Sequence, residues 1–203
     1  SQLYKDNLFK TRTGNPKAKE EEQIKLVREQ LEKIKEKIGS DFIKLRVGNN
    51  TYGVTEVEDT PGTPKSDMNF IGKNGVRLGF CSLKDGATAS AIQQWGGASV
   101  SREPLIAAHP EVVAFVKTAR EMFPTEIPQG TTVAREITDP KLRMQGIYGS
   151  GYGGSLGVNN VDVLLQGTVK INAINFTEYK ITGSAMTHSC LLYTSDAADD
   201  ELG

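Results

Sequence analysis

One stretch of the chain constrains the fold more than any other. Residues 65 to 86 read KSDMNFIGKNGVRLGFCSLKDG. The Asn74-Gly75 step predicts a two-residue turn, because both central positions of a type I′ turn need positive φ. A turn there pairs residues whose numbers sum to about 149, so Asp67 is expected to face Ser82. Side chains alternate along a strand, and Lys84 therefore shares the face of Ser82.

An acid, a hydroxyl and an amine thus converge on one face of two neighbouring strands. The same face is expected to continue as an apolar stripe through Phe80, Leu78 and Val76. A carboxylate and an ammonium at the end of an apolar stripe are costly unless they are paired or used. The hairpin therefore predicts either a structural ion pair between Asp67 and Lys84 or a functional site.

Composition and charge narrow the class of protein. At 203 residues, with 24% charged and 37% hydrophobic residues, the chain suits one generous globular domain or two small ones. Residues 1 to 46 hold 12 of the 24 Lys and Arg but only 8 acids, which favours a polyanionic partner or, alternatively, a solvated helix surface. No apolar run approaches the roughly 18 residues that span a bilayer, and the polar start has no signal core, so we expect no membrane partner and a cytoplasmic location.

The order of elements indicates an α+β protein. From Pro16 to Gly39 apolar residues recur at helical spacing, and projecting this stripe backward places Glu20 at the head of the buried face. Glu20 is therefore either a site carboxylate or a charge that complements the helix dipole. Strands are predicted at 42–47, at 51–57 and in the hairpin arms, and helices at 87–95 and 110–122.

Composition also suggests how the chain is divided. Residues 1–123 are expected to form a core with a basic N-terminal helix, and the region rich in Gly, Asn, Thr and Val at 124–189 is expected to form a β-rich lobe. The end of the chain, SCLLYTSDAADDELG, resembles a translated sequencing adapter of the kind found on genes from metagenomic assemblies. Residues 190–203, with Cys190, are accordingly left out of the predicted fold. Two scattered cysteines and two scattered histidines do not form a metal-ligand spacing, so a structural zinc site is not expected.

The order helix, strands, Asp-bearing strand, hairpin, Ser-x-Lys strand and helix resembles the PD-(D/E)xK nuclease superfamily over about residues 16 to 101. The resemblance implies a restriction-endonuclease-like core of class α+β (α/β), with a central mixed sheet flanked by helices. Members of the superfamily place an Asp at the start of one central strand and an acid-x-Lys on the next, often with a Glu on the leading helix and a Gln on the following one. The matching residues here are Asp67 in PKSD, Ser82 and Lys84 in SLK, Glu20 on the first helix, and Gln93 or Gln94 on the following helix.

The resemblance also implies a chemistry. Asp67 and Glu20 would hold Mg²⁺ or Mn²⁺, which prefer oxygen ligands, and Lys84 would act on the attacking water and on the charge of the transition state. Ser82 stands where the superfamily has its second acid. Either Glu20, Glu56 or Glu58 supplies that carboxylate, or the site binds without cleaving.

Two functions follow from the resemblance. The first is a metal-dependent endonuclease that hydrolyses DNA, in a phage or restriction-like setting. The second is a non-catalytic nucleic-acid-binding or virion-associated protein on the same fold. The partner is DNA in the first case, and a homodimer is one assembly that the sequence permits.

Overall fold

The computed structural model describes residues 16–88, 103–131 and 133–192 of the chain. The predicted helix at 87–95, with Gln93 and Gln94, lies almost wholly outside these residues. In chain order the described elements are α1 (Pro16–Ile38), β1 (Ile43–Val47), β2 (Asn50–Val54), β3 (Glu56–Asp59), β4 (Met68–Ile71), β5 (Arg77–Lys84), α2 (Pro104–Ala107), α3 (Pro110–Met122), α4 (Pro140–Tyr148), β6 (Val163–Gln166), β7 (Val169–Ala173), β8 (Glu178–Gly183) and β9 (Met186–Ser189).

Within these ranges the strands form two mixed sheets. A four-stranded sheet has the order β2-β1-β8-β7, and a five-stranded sheet has the order β3-β4-β5-β6-β9. Each sheet contains one parallel pair, β1 with β8 and β5 with β6, and its other neighbours are antiparallel. The protein is α+β, with two mixed sheets flanked by helices, and this fold class was predicted from the sequence.

Strands from both predicted segments enter the same two sheets. β6 pairs with β5 and β8 pairs with β1, so the predicted boundary at residue 124 does not separate two sheets. Composition changes at Pro124, but composition carries no information about which strand pairs with which. The helix α4 also lies in the region predicted as β-rich; it begins at Asp139-Pro140, where the Asp139 carboxylate caps the helix by accepting from Leu142 N at 2.8 Å.

The first helix follows its predicted bounds closely. Pro16 begins α1, and Gly39 follows its last residue with a φ of 64°, the left-handed conformation that glycine adopts at helix ends. The side chains of Gln23 and Gln30 hydrogen-bond to backbone groups of β7, which ties the helix to the edge of the four-stranded sheet. The apolar stripe of α1 is thereby held against the sheets.

The main core lies between α1 and the two sheets. Both sheets and the helix contribute fully buried apolar side chains to it. Its members are Ile24, Val27, Leu31, Ile43, Leu45, Val47, Val54, Val57, Met68, Phe70, Cys81, Leu83, Val163, Leu165, Val169, Ile171 and Ile181.

The hairpin turn is one residue longer than predicted. Asn74 and Gly75 have the positive φ values expected of them, 66° and 73°. However, Gly72 N donates to Val76 O at 2.9 Å, so three residues rather than two lie between the paired ends. The register near the turn is shifted accordingly, with Phe70 opposite Leu78.

A β-bulge restores the predicted register farther from the turn. Met68 lies opposite Cys81, as a two-residue turn would have placed it. The extra residue is taken up on β5, where Gly79 has a φ of 61°. The bulge also changes which face Leu78 occupies: Leu78 packs against the main core, whereas Phe80 lies in a separate cluster. The predicted stripe through Phe80 and Leu78 is therefore wrong.

The other face of the five-stranded sheet carries a smaller apolar cluster of Phe80, Tyr148, Val161 and Cys190. Cys190 is buried, and its backbone N donates to Asp162 O at 2.8 Å. Cys190, which the prediction left out of the fold, therefore packs in this cluster, and the origin of residues 190–203 stays a prediction. A third cluster packs α2 and α3 against Leu142 of α4.

No helix in the described part of the chain has both the length and the apolar character to cross a membrane.

Candidate functional site

Asp67 lies immediately before β4, and its main chain is fixed on both sides. Its N donates to Cys81 O of β5 at 2.8 Å, and its carbonyl accepts from Thr60 N at 3.1 Å. Its carboxylate is half-buried, and Oδ2 accepts from Leu83 N at 2.7 Å. The carboxylate therefore lies at the end of the paired segment of β4, directly beside the last residues of β5.

Ser82 and Lys84 lie on the same side of β5. The neighbours Cys81 and Leu83 point into the main core, so by alternation Ser82 and Lys84 point to the opposite face. Asp67 lies in the bend before β4, and the bond from Leu83 N holds its carboxylate beside the segment of β5 that carries Ser82 and Lys84. The structure thus places Ser82 and Lys84 on one face of β5 and the Asp67 carboxylate next to that end of the strand.

The parallel strand β6 extends this face. Ser82 pairs with Leu164 and Lys84 pairs with Gln166, so the two partner side chains share the face of the site. Gln166 is completely buried, and its Nε2 donates to the carbonyls of Asp85 at 3.0 Å and Thr88 at 2.9 Å. The carboxamide therefore lies across the end of β5, next to Lys84.

Two buried oxygen atoms on this face are unusual. Among the described residues, Ser82 Oγ and Gln166 Oε1 are the buried side-chain polar atoms that lack a hydrogen-bond partner. Such atoms lose their hydration on folding without compensation, and they often mark a binding or catalytic position. Gln166 was not predicted as a site residue. Its signal in the sequence was a polar residue at the end of the apolar run VDVLLQ, directly before a glycine.

The N-terminal end of α1 meets the C-terminal end of β5. Lys19 Nζ contacts Asp85 Oδ2 at 2.8 Å, one residue beyond Lys84, and this bond and the charge of Asp85 raise the pKa of Lys19. Glu20 follows Lys19 and is half-buried. The structure therefore places Glu20 at the end of the helix that lies nearest to the site, and its role as a metal ligand stays a prediction.

The two alternative acids on β3 lie elsewhere. Glu58 Oε1 accepts from Arg77 Nε at 2.5 Å and from Asn69 Nδ2 at 3.1 Å. Its carboxylate therefore forms an ion pair with Arg77. Glu56 lies opposite Ile71, near the hairpin turn. Four residues along a strand correspond to about 13 Å, which separates Glu56 from the Asp67 end of the hairpin.

The donor set of the site consists of hard oxygen atoms. The Asp67 carboxylate supplies two oxygen atoms to this set, and its Oδ2 accepts from Leu83 N at 2.7 Å. Mg²⁺ keeps several waters and is often held by one or two carboxylates, and the pair Asp67 and Glu20 as its ligands stays a prediction. The described residues contain no group of three or more His, Cys, Asp or Glu side chains that could hold a metal ion. The predicted Gln93 lies outside the described residues.

Another acid, Asp162, lies beside β5 at the start of β6, whereas Asp67 lies at the start of β4. Asp162 is almost completely buried; its Oδ1 accepts from Tyr52 OH at 2.5 Å and its Oδ2 accepts from Phe80 N at 3.0 Å. Burial raises the pKa of Asp162, against the opposing effect of these hydrogen bonds. The Asp162 carboxylate joins β2 of one sheet to β5 of the other, which is a structural role.

Cys81 lies between the two acids. Burial, followed by the charges of Asp162 and Asp67, raises the pKa of the Cys81 thiol well above its usual value. A thiol held neutral is a poor nucleophile and a poor metal ligand. Cys81 therefore acts as a small core residue and not as part of the site.

The comparisons with known proteins give no relative. No family model, no curated protein and no solved structure matches this chain.

Proposed function

We propose that the protein is a metal-dependent endonuclease that hydrolyses DNA phosphodiester bonds, on the PD-(D/E)xK pattern that its sequence resembles. The proposal includes DNA as partner, a phage or restriction-like setting and a cytoplasmic location. The observation that carries it is the hydrogen bond from Leu83 N to Asp67 Oδ2, which places the carboxylate beside Ser82 and Lys84 at the end of β5. A carboxylate and the half-buried residue Lys84 beside an unpaired buried hydroxyl are costly to maintain, which favours a functional reason for them.

Each residue has a distinct task in the proposed reaction. Asp67 and Glu20 would hold Mg²⁺ or Mn²⁺, and the metal ion, when bound, supplies Lewis-acid polarisation of the phosphate and a lowered pKa for water. The hydrogen bond from Leu83 N orients the Asp67 carboxylate and fixes it before any ligand arrives. Lys84 would donate to the attacking water or to the developing negative charge of the phosphate, where a positioned cation is most effective.

A second candidate function is binding without cleavage. It is favoured by Ser82, because a buried hydroxyl replaces the second acid of the superfamily pattern and is a much poorer metal ligand. Incubation of plasmid DNA with the wild-type protein, with and without Mg²⁺ or Mn²⁺, separates the two functions. Nicking or linearisation that requires the metal supports the endonuclease, and binding without cleavage supports the second function.

Two substitutions test the roles of the site residues. Asp67→Asn keeps the shape and can still accept from Leu83 N, but it removes the charge that holds the metal, so cleavage is expected to collapse. Lys84→Ala is expected to lose about 10²-fold or more in cleavage rate while retaining much of its DNA affinity. Both rates are measured under single-turnover conditions, together with Kd from a gel-shift or anisotropy titration.

A matched control is Lys44→Ala, which removes the same charge from an exposed position of β1 in the other sheet. It is expected to cleave at the wild-type rate. Full cleavage by the Lys84→Ala protein would contradict the mechanism. Unfolding of both site variants would instead show that Asp67 and Lys84 are needed for the fold.

A further inference from the structure

The four-stranded sheet has a face that points away from the main core, which we call the outer face. In β1, β7 and β8 every second residue belongs to the core, so by alternation the residues between them lie on the outer face. All basic residues of the four strands take such positions: Lys44, Arg46, Lys170 and Lys180. The same strands contain a single acid, Glu178, which lies on the same face.

The cations of the outer face lie close together. The register places Arg46 of β1 directly opposite Lys180 of β8. Lys44 is two residues from Arg46 on the same strand, which corresponds to about 7 Å, and neighbouring strands are about 4.8 Å apart. Like charges directly opposite each other on neighbouring strands are destabilising. The pair Arg46 and Lys180 therefore favours an anionic ligand that would separate and neutralise the two charges.

Glu178 neutralises only part of this charge. Its Oε1 accepts from Arg46 Nη2 at 3.2 Å and from Thr51 Oγ1 at 3.1 Å. The bond from Thr51, together with the charge of Arg46, lowers the pKa of Glu178. The described part of the chain leaves the outer face open, with Lys44 and Lys170 exposed. Since the whole chain has a net charge of −1, this face is a local positive surface of the kind that attracts polyanions.

Two phenylalanines lie at one end of this sheet. Phe42 directly precedes β1, and Phe176 precedes β8 by two residues. Because β1 and β8 are parallel neighbours, both rings belong to the same end of the sheet. Phe176 is completely exposed in its turn, which is fixed by a bond from Thr177 N to Asn175 Oδ1 at 2.9 Å. Exposed aromatic rings beside cations are the two components of single-strand binding, because bases stack on the rings while phosphates contact the cations.

We propose that the outer face binds single-stranded DNA, with its basic residues on the phosphates and Phe176 stacked on a base. A single strand is favoured over a duplex because its bases are free to stack on a protein ring. The surface is separate from Asp67 and Lys84, which belong to the other sheet. The choice of DNA rests on the proposed function, whereas binding at this face does not depend on cleavage.

Removal of the charges tests the phosphate contacts. A fluorescein-labelled oligothymidylate of about 16 nucleotides is titrated by anisotropy in EDTA, which prevents metal-dependent cleavage, at several salt concentrations. The variant with Lys44→Gln, Lys170→Gln and Lys180→Gln is expected to bind about 10²-fold more weakly at about 0.1 M salt. The slope of log K against log salt is expected to be smaller by about 2, because each phosphate contact with a single strand contributes about 0.7.

Two matched proteins accompany this variant. The first carries Gln in place of three exposed lysines of α1, and it is expected to bind as the wild type; these residues are Lys25, Lys33 and Lys37. The second carries Arg in place of the three lysines of the outer face, and it is expected to retain the affinity and the slope because it keeps the charges. Wild-type affinity in the Gln variant of the outer face, or an equal loss in the α1 control, overturns the inference.

Phe176→Ala tests the stacking contact independently, and it decides the inference if the Gln variant does not fold. It is expected to bind the oligothymidylate about tenfold more weakly with an unchanged salt slope, because a ring and not a charge is lost. Leu105→Ala is the control, since Leu105 is also exposed and lies on α2. Unchanged affinity in Phe176→Ala, or equal competition by a duplex of the same length, overturns the single-strand assignment. Binding of the wild type to phosphatidylserine vesicles but not to the oligothymidylate would instead assign the face to a membrane surface.

Plasmid cleavage keeps this inference distinguishable from the proposed function. At saturating protein the single-turnover rate does not depend on affinity, so variants of the outer face are expected to cleave as the wild type. A wild type that cleaves, while the Gln variant keeps its affinity for the oligothymidylate, refutes the surface and leaves the endonuclease standing. A wild type that never cleaves, while the Gln variant loses its affinity, refutes the endonuclease and leaves the surface standing.

Discussion

The Ser82 hydroxyl lies inside the five-stranded sheet without a partner, at the position where the resemblance implies a carboxylate. A carboxylate at this position would need a bound cation to balance its charge. A hydroxyl is neutral and small, so it can be buried at a moderate cost in free energy. Ser82 is therefore the residue at which the site departs most clearly from the superfamily pattern.

Ser82→Ala is expected to leave the protein as stable as the wild type or to stabilise it by about 1 kcal/mol, because it removes a buried polar atom that has no hydrogen bond. The matched control is Ser66→Ala. Ser66 is equally buried, but its Oγ contacts Thr60 Oγ1 and Met68 O, each at 2.9 Å, so its loss is expected to destabilise by about 1 kcal/mol. Urea unfolding of the three proteins measures both changes. A clear loss of stability in Ser82→Ala would mean that Ser82 has a bound partner such as water.

At the scale of an element, the hairpin shows how far local sequence rules reach. The positive φ values of Asn74 and Gly75 follow from the residue types alone. The length of the turn did not follow, because Lys73 joins it. The bulge at Gly79 then corrects the register, so Met68 and Cys81 are opposite each other as predicted, although the path between the turn and that pair differs.

Gly79→Ala tests the bulge. The position has a φ of 61°, and an added Cβ would lie 3.1 Å from Phe70 Cδ2 and 3.2 Å from Val47 Cγ2. We expect a destabilisation of about 1–3 kcal/mol, from the left-handed backbone and from crowding in the core. The control is Gly39→Ala after α1, which has a φ of 64° but no atom within 4 Å of the added Cβ. Equal losses in urea unfolding would show that the backbone conformation alone matters and that the core around Gly79 is not tight.

At the scale of the whole molecule, Asp162 joins the two sheets. Its carboxylate accepts from Tyr52 of the four-stranded sheet and from Phe80 of the five-stranded sheet. Asn49 adds a bond from the β1–β2 turn to Cys190 O at 2.9 Å. These polar contacts join the two sheets through directional hydrogen bonds, which apolar packing does not provide. We therefore expect Asp162 to contribute to how the sheets are oriented.

The pH dependence of this contact has a definite sign. Burial raises the pKa of Asp162 above the value that it has in the unfolded chain, so the folded state favours the protonated carboxyl. The contribution of Asp162 to stability is fully present below the unfolded pKa and is lost as pH rises through the folded pKa. In Asp162→Asn, which does not titrate, the stability deficit relative to wild type should accordingly be larger at about pH 4 than at about pH 8.

Denaturant unfolding at several pH values checks this prediction. Tyr52→Phe serves as the control, because it removes one donor to the carboxylate and leaves Asp162 free to titrate. A deficit of Asp162→Asn that grows with pH would show that the hydrogen bonds from Tyr52 and Phe80 outweigh burial, so that the folded state prefers the ionised carboxylate.

Local patterns in the sequence determined the parts of this protein that depend on neighbours along the chain. The spacing of apolar residues predicted α1 and α3, and the Asn74-Gly75 step predicted where the hairpin turns, whereas the bulge at Gly79 restored the register near Asp67 and Ser82. Periodicity and turn chemistry act over a few residues, so a sequence displays them directly. The resemblance to a nuclease superfamily rests on the same short stretch and stays a hypothesis about function.

Only the tertiary structure decided which distant strands became neighbours. The pairing of β5 with β6 places Gln166 beside Lys84 across more than 80 residues of chain, and the pairing of β1 with β8 merges two regions that composition separates. The tertiary structure also pairs Glu58 with Arg77 and buries Asp162 between the sheets. The physical reason is that strand pairing depends on the burial of whole faces and on backbone hydrogen bonds. Any sequence can make those backbone bonds, so the residue types of a strand do not identify the strand with which it pairs.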